Sequence, residues 1–151
     1  MSRRSLRYEH LDRFIAVHQQ AGKPQAKIRE QYSRCSKALV SVGKGGGVDR
    51  PVGLPLELIA ERNPYAWPTD EKLPVRLLFE GKPLSGVTIK LFSHDAPAQP
   101  KRYVSDDDGR IVVDLPRAGE YLVHTLHMRE PRAGEQADWV SLWASLTFAR
   151  P

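Results

Sequence analysis

The sequence predicts a mostly-β protein: an antiparallel β-sandwich of about seven strands, preceded by an N-terminal helical hairpin. Three observations carry that expectation. The apolar period shifts from helical to two near Leu54, seven short alternating segments follow, and 12 prolines and 11 glycines in 151 residues punctuate the chain. An aromatic content of 8% within 40% apolar residues fits many short elements better than a few long helices.

The N-terminal segment has the helical period. Tyr8, Leu11, Phe14, Ile15 and His18 share a stripe that ends at Gly22. A second helix is expected from Pro24, a residue favoured in the first helical turn, with Ile28, Tyr32, Cys35 and Leu39 on one stripe before Gly43. Residues 1–42 therefore read as a helical connector. "GKGGG" then opens a glycine-rich linker over 43–53, which lacks the G-x-x-x-x-G-K-[ST] pattern of a phosphate loop.

The sandwich is expected over 54–150. "LPLELIAE" alternates, Val75, Leu77 and Phe79 share a face, and so do Val87, Ile89 and Leu91. Next come "KRYVS", then Ile111, Val113 and Leu115 on one side, then "EYLVHTLHM", and finally "ADWVSLWASLTF" with Val140, Leu142, Ala144, Leu146 and Phe148 in step. Asp108-Gly109 tolerates positive φ and predicts a tight turn between adjacent strands, and Pro116 with Gly119 marks the next corner.

Charge and cysteine use narrow the function classes. Residues 1–50 hold 11 Lys/Arg against 4 Asp/Glu, whereas 51–151 hold 12 against 14, so the net +5 belongs to the N-terminal third. Lys27, Arg29, Arg34 and Lys37 form a basic face without interleaved aromatics, which reads as solvated, and no nucleic-acid partner is expected. Cys35 is alone and lies on an apolar stripe, so it reads as a small buried hydrophobe rather than a reactive thiol. No Ser/His/Asp, Cys/His or paired-carboxylate arrangement stands out, and an enzyme is not expected. The opening residues lack the apolar run of a signal peptide, and no stretch reaches the length of a membrane span; the sequence taken alone reads as cytoplasmic.

Two constellations carry candidate chemistry. In "LVHTLHMRE", His124 and His127 lie an odd number of residues apart, so alternation sends them to opposite faces of a strand. Alternation groups His124 with Leu122, Leu126 and Met128, and His127 with Tyr121, Val123 and Thr125. The structural reading of either histidine, packed or at a rim, outweighs the ligand reading. A metal shell would need His94 and Asp95 brought to the same pole; imidazole, carboxylate and thioether suit nickel, copper or zinc. Asp106, Asp107 and Asp108 before Gly109 resemble half a calcium loop, but Val104 occupies the first ligand position and a solvated acidic turn is the better reading.

The second constellation is Trp139 and Trp143, on the face opposite the apolar stripe of the last strand. They are separated by roughly 13 Å along a strand, a span that could stack sugar rings. The competing reading is cover from within the chain, and Trp139 or Trp143 is expected to pack against Tyr8, Phe14 or Tyr32.

Several stretches together, "REQYSRCSKALVSVG", "VGLPLELIAERNPYA", "LPVRLLFEGKPLSGVTI", "SDDDGRIVVDLPRAGEYLVHTLHM" and "ADWVSLWASLTF", resemble the C-terminal part of a bacterial periplasmic family of unknown function whose members are described as NikM-like nickel or cobalt transport components. The resemblance covers nearly the whole chain, in order. It implies a sandwich related to transthyretin-like and carboxypeptidase-regulatory-like modules, a periplasmic location, a membrane transporter component as partner, and nickel or cobalt as cargo or ligand. Family members carry a signal peptide and a β-rich N-terminal domain ahead of the helical connector; this chain has neither, so it is expected to be an N-terminally truncated or short form. The expected function is a non-catalytic accessory or binding module in nickel or cobalt uptake, the alternative being an envelope carbohydrate- or protein-binding sandwich that uses the Trp139/Trp143 face.

Overall fold

A computed structural model describes residues 12–23, 27–43, 45–66 and 72–151. In chain order these form α1 (Asp12–Gln20), β1 (Glu30–Ala38), β2 (Leu56–Ala60), β3 (Leu73–Phe79), β4 (Lys82–Pro83), β5 (Thr88–Ser93), β6 (Lys101–Val104), β7 (Arg110–Val113), β8 (Gly119–Arg129) and β9 (Trp139–Arg150). One sheet has the order β1-β9-β8-β5-β6; in the other, β3 pairs β2, β4 and β7.

All seven alternating segments expected from the sequence are strands, because each offers one apolar face to a shared core. Leu58, Val75, Leu77 and Val113 from one sheet meet Ile89, Val123, Leu146 and Phe148 from the other, each at most 2% exposed. Alternation along β9 sends Leu142, Ala144, Leu146 and Phe148 into that core and leaves Trp139 and Trp143 in a separate cluster on the outer side.

The N-terminal region differs from expectation. Among the described residues one short helix stands where a helical hairpin is expected; Tyr8, Leu11 and Pro24 lie outside the described residues. The segment expected as the second helix is instead β1, paired parallel to β9 in an unbroken register from Glu30↔Trp139 to Ala38↔Thr147. The physical reason is that Tyr, Ser and Cys are weak helix formers, while the long edge of β9 offers a ladder for the backbone of β1. Period two then does the sorting: Cys35 enters the core at 5% exposure, and Arg34 and Ser36 face outward.

Residues 45–53 have no regular structure, yet they are fastened at both ends. Lys37 Nζ lies 2.7 Å from Asp49 Oδ1 and 3.1 Å from Glu57 Oε1, and it donates to the Arg50 carbonyl. Asp49 also accepts the Ala60 amide, and Glu57 accepts the amides of Val52, Gly53 and Leu54. Burial alone would raise the Glu57 pKa, but the hydrogen bonds from Val52 and Lys37, with the Lys37 charge, hold it below the ordinary glutamate value.

The "DDDG" turn carries the chain from β6 in one sheet to β7 in the other instead of joining two paired strands. Asp106 Oδ1 accepts the amides of Asp108 and Arg110, so this acidic side chain is spent on the turn. Gly109, at φ 72°, sits so close to β3 that a Cβ would lie 2.5 Å from the Leu77 carbonyl oxygen. That close approach is what requires glycine there.

Candidate functional site

The outer face of the five-stranded sheet gathers a set of side chains with recognition chemistry. β9 supplies Trp139, Ser141, Trp143 and Ser145; its neighbour β8 supplies His124, Leu126 and Met128; β1 supplies Tyr32 and Arg34. On a sheet these are next-door positions, so their side chains meet across the ladder.

Trp139 is closed over by α1. The Phe14 ring meets its indole edge-on with centroids 5.7 Å apart, and the Lys23 ammonium lies 4.8 Å from the ring centroid. Trp139 Nε1 donates to His18 Nδ1 at 2.7 Å. With Leu126 and Met128 beneath, Trp139 is left 5% exposed. The expected packing of a tryptophan against the N-terminal helix is realised here by Phe14.

Trp143 is half-buried and held from several sides. Its Nε1 donates to Ser141 Oγ at 3.2 Å, and Ser141 Oγ in turn donates to a Glu30 carboxylate oxygen. The Arg34 guanidinium lies 5.8 Å from the ring, within cation–π range, and the His124 ring is 5.6 Å away. Tyr32, 65% exposed, stands beside it on β1, paired with Ser141. A tryptophan, a tyrosine and an arginine thus share one pre-set surface.

The four sequence-predicted metal candidates do not come together. His124 contacts Trp143 and Phe92 on the outer face, whereas the His127 ring lies 4.9 Å from Phe79 of the opposite sheet. His94 is exposed beside Glu120, with Nδ1 3.8 Å from Oε2. Four residues of strand separate Glu120 from His124 and seven from His127, or about 13 and 23 Å. Asp95 lines a different feature, a cleft of about 400 Å³ with Ser93, Asp114, Arg117 and Tyr121. Among the described residues no group of three His, Cys, Asp or Glu is placed to hold a metal ion, so these side chains do not form a nickel or cobalt shell with one another.

Sequence reasoning places both tryptophans and the helix that covers one of them, but it misses Glu30 and Ser141 as the support of Trp143. The signal for Ser141 is its place between two tryptophans on a face where a hydroxyl must find partners. The signal for Glu30 disappears once residues 24–42 are read as helix.

Fold and face together define a mostly-β, two-sheet protein with an aromatic, helix-capped outer surface. The chain belongs to a family described as a domain of unknown function (DUF4198), which matches residues 6–129. That span includes His94, Asp95, His124 and His127, while Trp139 and Trp143 lie beyond it. No curated protein and no solved structure matches the chain.

Proposed function

We propose that this chain is a non-catalytic binding module of the bacterial envelope, built on a transthyretin-like sandwich, which serves nickel or cobalt uptake by docking a membrane transporter component. The observation that supports it is the Trp143, Tyr32 and Arg34 surface: the residue types that dominate protein–protein hot spots, with Trp143 oriented before any partner arrives. The link to nickel and cobalt rests on the sequence resemblance. Because the four candidate ligands lie apart, the module acts by contact with its partner, and its own histidines are not asked to carry the ion.

The test is nickel and cobalt accumulation in cells of the source organism lacking the gene, complemented with wild type or Trp143→Ala. Accumulation restored by wild type and not by Trp143→Ala, at equal protein level, supports the reading; a deletion that changes uptake of neither ion sinks it. The carbohydrate reading has less support, because Trp139 is covered by α1 and a single half-buried indole remains for stacking.

A further inference from the structure

Arg150 closes β9 on the inner side of the five-stranded sheet, next in alternation after Leu146 and Phe148 of the core. It is 3% exposed. None of its three guanidinium nitrogens, Nε, Nη1 or Nη2, has a hydrogen-bond partner among the described residues. Three other arginines of the two sheets each hold a carboxylate. Arg76 and Arg110 share Glu61 at 2.7 and 2.8 Å, and Arg129 holds Glu135 through two bonds of 2.7 Å.

A guanidinium cannot shed its charge by deprotonation, so burial without a counter-charge is costly and is not relieved by a pKa shift. The ladder position directly opposite is Gly119. It is exposed, and a Cβ added there would meet no atom within 4 Å. The strand position opposite Arg150 is thus a backbone notch that is open to solvent and has no side chain of its own. The next inner-face residue on β8, Tyr121, stacks on Phe148 with centroids 6.0 Å apart and donates its hydroxyl to the Arg117 carbonyl. Gly119 therefore carries no side chain that could close the end of β8 opposite Arg150.

We propose that Arg150 is the receiving group of an anion site, which takes a small oxyanion through the Gly119 notch and binds two of its oxygens with the guanidinium fork. A carboxylate or a tetrahedral oxyanion matches that fork equally well, because both present two oxygens at the spacing of adjacent guanidinium N–H groups. The site lies on the opposite face of the sheet from Trp143 and is independent of the docking surface.

The experiment is thermal unfolding of the full chain at constant ionic strength, with sodium chloride replaced stepwise by inorganic phosphate in one arm and by acetate in the other. Wild type is expected to show a saturable rise of about 3–6 °C at ten times the dissociation constant of the ion it binds. Arg150→Met should melt in chloride at or above wild type and show no oxyanion-specific rise. A side-chain NMR titration of wild type supplies the second measurement: phosphate or acetate should move one arginine Nε–Hε resonance, the one missing from Arg150→Lys. A wild type that responds no differently to chloride, phosphate and acetate overturns the site, as does a Met variant that rises as far as wild type. A concentration-dependent wild-type dimer that Arg150→Met abolishes also overturns it, by placing a partner's carboxylate against the guanidinium.

Discussion

Trp139 Nε1 donates to His18 Nδ1 at 2.7 Å, and both groups are 5% exposed. An indole nitrogen can only donate, so this bond fixes His18 Nδ1 as an unprotonated acceptor and ties α1 to the sheet at one buried point. His18→Ala leaves the indole N–H without its acceptor and should cost about 1–2 kcal/mol. In a Trp139→Phe background the same change should cost clearly less. Chemical denaturation of the four proteins as a double-mutant cycle measures the difference; a coupling energy near zero would show that the bond does not hold α1 down.

Glu57 makes the fold sensitive to acid. Its folded pKa is depressed, so its contribution to stability is complete above the ordinary glutamate range and is lost as pH falls through the depressed folded value. Glu57→Gln should remove that part of the acid limb of a stability–pH curve. Glu57→Ala should cost about 3 kcal/mol or more, because Lys37 and the three amides of the loop lose a shared buried acceptor. Glu135 is depressed as well: the hydrogen bonds from Arg129 and from the Arg132 amide hold it at about 2. Both carboxylates therefore keep their charge below the ordinary glutamate range, and a carboxyl-carbon NMR titration reads each depression directly.

Ser141 joins Trp143 to Glu30 through a single hydroxyl that accepts from one and donates to the other. Ser141→Ala breaks both bonds and should cost about 1–2 kcal/mol. It should also shift the emission of Trp143, observed alone in a Trp67→Phe, Trp139→Phe background; an unchanged spectrum would mean that the relay does not orient the ring.

Gly109→Ala should destabilise by about 2 kcal/mol or more, because the new Cβ falls on the backbone carbonyl of Leu77 at a positive φ. Gly81→Ala, also at positive φ but with no atom within 4 Å of an added Cβ, should cost less. Urea denaturation of both variants checks the order.

Hydrogen exchange tests β1 directly. The Leu39 amide bonds the Thr147 carbonyl, and the Trp139 amide bonds the Arg29 carbonyl. Odd-numbered residues therefore face β9, and by the alternation of a parallel ladder the amides of Gln31, Ser33, Cys35 and Lys37 should be protected while those of Tyr32, Arg34 and Ser36 exchange fast. Uniform protection along 30–38 would indicate a helix.

The body of the fold was legible because period two is a local signal: each of the seven strands declares its buried face within six or eight residues. Leu146 and Phe148 could be assigned to the core, and Trp143 to the other side, from spacing alone. β1 was not legible, because its partner is β9 and nothing between Ile28 and Leu39 announces a strand whose ladder lies more than a hundred residues away. The opposite orientations of His124 and His127 follow from parity, but their distance from His94 depends on which strand end meets which. The Lys37, Asp49 and Glu57 network is not legible in the sequence for the same reason: three charges on separate segments become neighbours only through topology.

The parallel pairing of β1 with β9 sets an order of events during synthesis. Ser36 meets Ser145 across 109 residues of chain, so β1 waits for β9 to be made before it has a ladder to join. Until then its backbone is solvated and open to pairing with other chains, and closing so long a loop belongs to the slow end of folding. The sheet that presents Trp143 and Arg34 is therefore completed as one of the last acts of folding, and a chain cut short before β9 would expose β1 without ever forming that surface.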